Sequence, residues 1–285
     1  MRTFIFTATI LILAASNTYS DSAQSNALNI PHKYGRVIYS TNHNSPNQLY
    51  IIGISHRDSI HLKNSSNTVQ SQIETFRIAE WLIQNKGISM ILPEGYFSSS
   101  QRHTAPIDRS KNSPLNIEIL QERLTDESVF TNAEMLLREK YGILSRQIED
   151  LNMYQAVSAK MKELKISRND LIESQFIISE LTYLQNRRTA NMLQQIPDIL
   201  DKELKRGSIS NKQALLTIGM NHISEIIKYL KQGRIEIASP LFMSYKDFYS
   251  ELQLRDNNYG VSVIIPEILA NDNELIKLVM LDDIQ

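Results

Sequence analysis

The chain has 285 residues, of which 42% are hydrophobic and 21% charged, with a formal net charge of −1 and no cysteine. That mixture suits a folded globular protein rather than a disordered chain. The near-neutral charge, with no basic block, leaves no electrostatic footprint for nucleic acid. The missing cysteine excludes disulfides, a thiolate nucleophile, a Cys-based zinc site and lipoprotein attachment.

Arg2 precedes an uncharged apolar run, Thr3–Ala15, and small or polar residues follow to Ser20. This pattern predicts a signal peptide over 1–20, cut after Ser20, and an exported product, periplasmic or secreted. The run is short for a bilayer span, and a retained anchor is the alternative. No second apolar run is long enough to cross a membrane. Residues 21–285 are of a length for one domain at the upper end of a single core.

Residues 21–34 read as a polar tail. Arg36–Ser40 and Gln48–Ile54 read as strands separated by an Asn/Ser/Pro turn. After a polar loop, Ser66 or Asn67 caps a helix whose apolar residues, Val69 to Ile83, recur at helical spacing. Gly87 stops it, and Ile88–Leu92 reads as a buried strand ended by Pro93-Glu94-Gly95. Phe97–Ser113 is a polar loop. Residues 115–205 read as successive helices without a convincing strand, with apolar faces at Leu115/Ile119/Leu120/Leu124, at Met153/Val157/Met161 and at Ile172/Phe176/Ile177/Leu181/Leu184. Strand signals return at Gln213–Ile218, Arg234–Ala238 and Gly260–Ile265, with a helix over Ile223–Leu230 between the first two and another at the end of the chain. The expected fold class is α/β: a mixed, largely parallel central sheet flanked by helices, with a helical insertion over about 115–205.

The two halves echo one another, each reading strand, Gly-x-x-His, helix, Gly, strand. The motifs are Gly53–His56 and Gly219–His222. Nine glycines and six histidines give roughly 0.2 chance matches to so loose a pattern, and two occur. Glycine after a strand permits close backbone approach, and an imidazole on the following turn can serve as a base or a metal ligand. The bland alternative is a histidine that caps the next helix. In parallel sheets, residues just past the carboxyl ends of strands line the ligand crevice, so His56, Glu94 and His222 are expected to converge within about 10 Å if they share a site. Glu94 is a candidate acid, base or histidine-orienting group; otherwise it is a solvated turn residue. Arg188, in the Asn186-Arg187-Arg188 cluster, can bind a carboxylate or an oxyanion; the alternative is an exposed basic patch. Asp58 and His61 follow His56 closely, as a polar loop or a local metal site.

Several familiar signatures are missing: Gly-x-Ser-x-Gly, His-Glu-x-x-His, the Walker loop and Gly-x-Gly-x-x-Gly. Their absence argues against common serine hydrolases, zincins, P-loop enzymes and Rossmann dehydrogenases.

Four stretches, Ile51–His56, Met90–Gly95, Arg188–Ile196 and Leu215–Leu230, resemble in order the superfamily that groups TraB/Tiki proteins with erythromycin-esterase-like and ChaN-like proteins. The resemblance implies a site built from His56, Glu94, Arg188 and His222, with Gly53, Gly219, Asp58 and Asn186 in support. The family's helical motif often has Arg-Asn or Arg-Asp, whereas this chain has Arg188-Thr189; Asn186 is the polar partner under a shifted register. The resemblance also implies two kinds of function, beside which a third reading stands. The first is a hydrolase, peptidase-like with a divalent metal (Mn, Zn or Fe) on His56, Glu94 and His222, or esterase-like with a histidine base, acting on a small-molecule or peptide substrate. The second is a haem or iron binder. The third, which stands apart from the resemblance, is a catalytically inert scaffold or interaction protein.

Overall fold

The computed structural model describes residues 28–56, 65–95, 116–167, 170–241 and 244–280. The predicted signal segment 1–20, the loop 97–113, Asp58, His61 and Leu115 lie outside the described residues. In chain order the elements are β1 (Gly35–Thr41), β2 (Asn47–Ile54), α1 (Ser66–Lys86), β3 (Met90–Pro93), α2 (Ile117–Thr125), α3 (Ala133–Tyr141), β4 (Leu144–Ser145), α4 (Leu151–Ile166) and α5 (Leu171–Lys205). There follow β5 (Gln213–Gly219), a 3₁₀ turn over Met220–His222, α6 (Ile223–Gln232), β6 (Arg234–Ile237), β7 (Phe248–Glu251), α7 (Gln253–Asp256), β8 (Tyr259–Pro266), α8 (Glu267–Ala270) and α9 (Asn273–Met280).

The fold is α/β. Its central sheet runs β1-β8-β2-β5-β3-β4. β1 is antiparallel to β8, and the other neighbours are parallel. The strands alternate in the sense expected of a sheet covered on both faces. Leu49 and Ile51 of β2 enter one apolar cluster with Leu193, Ile196 and Leu200 of α5 and Ile223 and Ile226 of α6. Tyr50, Ile52 and Ile54 enter the other, with Phe76, Ala79, Leu82 and Ile83 of α1 and with Leu136 and Leu137 of α3.

Helix ends follow local chemistry. Ser65 caps α1 by accepting from the Thr68 N–H, and Gly87 ends it in the left-handed conformation with φ 70°. Asp150 and Asp170 cap α4 and α5 with side-chain acceptors, and each satisfies amides that the helix itself cannot.

Three sequence expectations need correction. A strand does interrupt the helical stretch: β4 adds two residues to the edge of β3, too short for any periodic pattern to reveal. Only the first strand of the second strand–helix–strand unit, β5, enters the central sheet; the unit's second strand, β6, pairs antiparallel with β7 instead. Its burial alternates exposed and buried, as suits a ribbon with one wet face. The apolar face assigned to the start of α5 is not covered: Ile177 is buried, but Ile172 and Phe176 are exposed. There α5 runs beside α4 as a two-helix hairpin, which has fewer neighbours to bury a stripe than a helix laid on the sheet.

Gly53 is set by space rather than by dihedral freedom. A Cβ there would lie 2.7 Å from Met220 Sδ and 2.8 Å from Ile223 Cγ1. Gly53→Ala is therefore expected to cost about 1–3 kcal/mol of stability through overpacking, measurable by urea denaturation. A variant as stable as the parent would show that the start of α6 yields freely.

Candidate functional site

β2, β5 and β3 are adjacent and parallel. Their carboxyl ends therefore open at one edge of the sheet, and the chain leaves each of them carrying a polar group. His56 lies two residues beyond β2. Glu94 directly follows β3, and its N–H still bonds the Thr217 carbonyl of β5 at 2.9 Å. His222 closes the 3₁₀ turn after β5. Arg188 comes from α5, on the layer that covers the sheet.

These groups meet on the Glu94 carboxylate. Oε2 accepts from His56 Nε2 at 3.1 Å and from the Gly219 N–H at 2.6 Å. Oε1 accepts from Arg188 Nη2 at 2.5 Å and faces His222 Nε2 at 3.3 Å. Arg188 also bonds Glu149 through Nε, and Glu149 receives the Gly95 N–H at 2.7 Å. Arg188 is thus clamped between two carboxylates, which fixes its guanidinium more firmly than an exposed patch would allow.

Gly219 is glycine for the same reason as Gly53. A Cβ at Gly219 would sit 2.6 Å from His56 Nε2 and 3.4 Å from Glu94 Oε2. The two motif glycines therefore pack across the β2–β5 pair: one admits the start of α6, the other admits the imidazole. The two histidines differ in exposure. The side chain of His56 is 48% exposed and that of His222 is 6% exposed. His222 Nδ1 lies 2.6 Å from Thr189 Oγ1, which is also 2.9 Å from the Gln185 carbonyl. One hydroxyl proton cannot serve both acceptors, yet the contact fixes the ring orientation whichever way that proton lies.

Burial alone would raise the Glu94 carboxyl. Hydrogen bonds from His222 and then His56, reinforced by their charge, outweigh it and hold Glu94 well below the usual carboxylate range. An ionised carboxylate only accepts, so His56 presents Nε2–H to it and carries its lone pair on Nδ1. Burial pulls the His56 pKa down, but the Glu94 hydrogen bond and the charges of Glu94 and Glu134 overcome this, and the net shift is upward.

A cleft of about 540 Å³ opens beside this cluster, lined by His56, Glu94, Gly95 and Arg188 from the sheet edge and by Phe130, Glu134, Met135 and Tyr154 opposite. His222 lies behind it. The structure therefore brings together His56, Glu94, Arg188, His222 and Gly219, with Gly53 beneath them. Asn186 lies on α5 two residues before Arg188, a spacing that does not share a helix face, and no hydrogen bond joins it to the cluster. Sequence reasoning missed Glu149 and Thr189. Glu149 adjoins the capping Asp150 and reads as a helix-start acid. Thr189 is one polar residue within a long helix, and no local signal points it at His222.

The proposed metal set fits a divalent ion poorly. Each Glu94 oxygen already faces two donors, and both Nε2 atoms point at that carboxylate rather than at a shared space. Among the described residues no group of three His, Asp or Glu side chains is arranged to hold a metal. No helix among the described residues is long and apolar enough to cross a membrane.

Comparison with family models, with curated proteins and with solved structures returned no match.

The raised His56 pKa should appear as an NMR titration midpoint above 6.5, the ordinary histidine value. Glu94→Gln should move it down, since Glu94 supplies the leading upward contributions. His56 stabilises the fold most below its unfolded pKa, and that contribution fades as pH rises through the folded value. The Glu94 contribution is present above the unfolded carboxylate pKa and is lost as pH falls through its depressed one. A His56 midpoint unchanged in Glu94→Gln would break the coupling.

Proposed function

We propose that this chain is a hydrolase of esters or amides in which His56 is the general base. The reading rests on one observation: a buried, ionised Glu94 at the floor of a cleft directs the Nε2–H of a half-exposed histidine toward itself. The opposite nitrogen, Nδ1, is left as the proton acceptor, and among the described residues no hydrogen bond occupies it.

In this reaction Nδ1 takes a proton from a water molecule as its oxygen attacks the substrate carbonyl carbon. The carbonyl π pair moves to oxygen, and the resulting oxyanion is stabilised by Arg188, whose Nη1 is not used by either carboxylate. The imidazolium then returns its proton to the leaving oxygen or nitrogen as that bond breaks, which restores the neutral base. Glu94 holds the tautomer and steadies the transient positive charge. Glu149, Thr189 and His222 are positioning residues: Glu149 acts on Arg188, His222 on Glu94 and Thr189 on His222.

A screen of 4-nitrophenyl esters and acylated peptides tests this reading. His56→Ala should lower kcat/KM by about 10²–10⁴, with the fold intact by circular dichroism. The ascending limb of kcat/KM against pH should lie above 6.5, because the base must be neutral and its pKa is raised. Dialysis against a chelator should leave the rate unchanged. Turnover that survives His56→Ala would sink the mechanism, and loss of activity on chelation with recovery on adding Mn or Zn would return the site to the metal-dependent reading.

One observation favours a second reading, haem binding: His56 is half exposed beside the apolar Phe130, Met135 and Tyr154. A histidine at the mouth of an apolar cleft suits axial ligation. Titration with haem would then give a Soret band that His56→Ala abolishes; an unperturbed spectrum removes this reading.

A further inference from the structure

The cleft holds a second carboxylate that the hydrolytic reading does not use. Glu134 sits in the first turn of α3, is only 4% exposed and lines the cleft beside His56. Its Oε2 is buried without a hydrogen-bond partner. The polar groups around it are committed elsewhere. The Gln72 side chain spans the Ser55 carbonyl and the Ala133 N–H, and Asn132 Oδ1 takes the Met135 N–H. Arg138, one turn along the same helix, lines the same cleft and has contacts of its own.

A first-turn acid is favoured by the helix dipole. The dipole supplies no donor to Oε2, however, and a desolvated carboxylate oxygen without a donor is costly to keep. The negative charge also reaches His56, so this carboxylate stands close to the reacting position. Phe130, Met135 and Tyr154, which line the same cleft, provide an apolar, largely aromatic wall. A group that satisfies both features carries a proton donor and a positive charge on an apolar body, since aromatic faces also attract cations.

We propose that Glu134 is the specificity-determining carboxylate of this cleft and binds the protonated amine of an apolar, amine-bearing ester or amide. This rests on reading the cleft as a hydrolytic site. The amine docks on the Glu134 carboxylate, the apolar part lies against Phe130, Met135 and Tyr154, and the carbonyl is presented to His56.

Binding, not turnover, tests it first. Benzylamine, which is protonated at neutral pH, and N-acetylbenzylamine, which is neutral, are each titrated into the full-length protein. The ring resonances of His56 are followed by NMR and the affinity by calorimetry. Benzylamine should bind at least about tenfold more tightly and should perturb His56. In Glu134→Gln that preference should vanish while N-acetylbenzylamine binding is unchanged. Glu134→Ala repeats the readout should glutamine disturb α3. Equal affinity for the two probes, a preference that survives in both variants, or no binding of either probe overturns the proposal. The hydrolytic reading fails separately, through turnover that is insensitive to His56. Amine binding without turnover would leave Glu134 as the recognition group of a non-catalytic cleft, whereas turnover without amine preference would leave His56 as the base and remove Glu134.

Discussion

A carboxylate that is only 8% exposed and remains ionised governs this structure. Taking such a charge out of water costs several kcal/mol after relaxation, and Glu94 is tolerable there only because donors from separate parts of the chain reach it. One comes from the turn after β2, two from the chain leaving β5, one from α5. None of these segments is near Glu94 in sequence. The carboxylate therefore acts as a tie between the sheet edge and the helical layer, and it can be satisfied only when β2, β5, β3 and α5 are all in place. Arg188 extends the tie to Glu149, whose side chain is fully buried. Removing Arg188 would strand two carboxylates at once. Breaking one buried pair already costs about 3–5 kcal/mol. A loss of activity on replacing Arg188 would thus report folding as much as chemistry, which is why His56, half exposed and on a turn, is the cleaner probe.

The strand order explains why the two Gly-x-x-His motifs meet. β5 enters between β2 and β3, so the second motif lands between the first and Glu94. Register then fixes the contact. Gly53 stands opposite Ile218, and Ile54 opposite Gly219, which places each motif glycine beside the other motif's bulky group. Shifting β5 by one residue would exchange the side chains it presents to the two buried clusters and bring a side chain against His56 Nε2. The glycines thus record how close the two strand ends must come, and their backbone could be adopted by other residues: Gly219 has φ −59° and ψ 144°.

Much of this was legible in the residues. The strands at 36–40, 48–54, 213–218 and 260–265, the helix ended by Gly87 and the strand-end positions of His56, Glu94 and His222 follow from periodicity and turn chemistry. What was not legible depends on long-range pairing. Arg234–Ile237 has strand character, but nothing local says whether its partner is the central sheet or β7. Leu144–Ser145 is too short to carry a period and exists as a strand only because Ile91 offers it a ladder position. Glu149 looks like part of a helix start until Arg188 is brought to it across 39 residues. The apolar residues of the α4–α5 hairpin have helical spacing, yet spacing says that a face exists and not that anything covers it.

The internal echo ends in asymmetry, and that asymmetry decides which histidine does what. Both motifs place an imidazole at the end of a parallel strand, and both imidazoles point Nε2 at the same carboxylate. His222, however, leads straight into a helix packed on the sheet, under α5, where Thr189 takes its second nitrogen. His56 lines the cleft with its side chain half exposed, and among the described residues no hydrogen bond occupies its second nitrogen. Two copies of one local pattern therefore differ in burial, one imidazole enclosed and the other half exposed at the cleft, and the enclosure comes from α5 packing over His222. A histidine with both nitrogens engaged can hold Glu94 in place but cannot exchange a proton with a bound molecule. A histidine with one nitrogen engaged can do both, and only His56 meets that condition at the cleft.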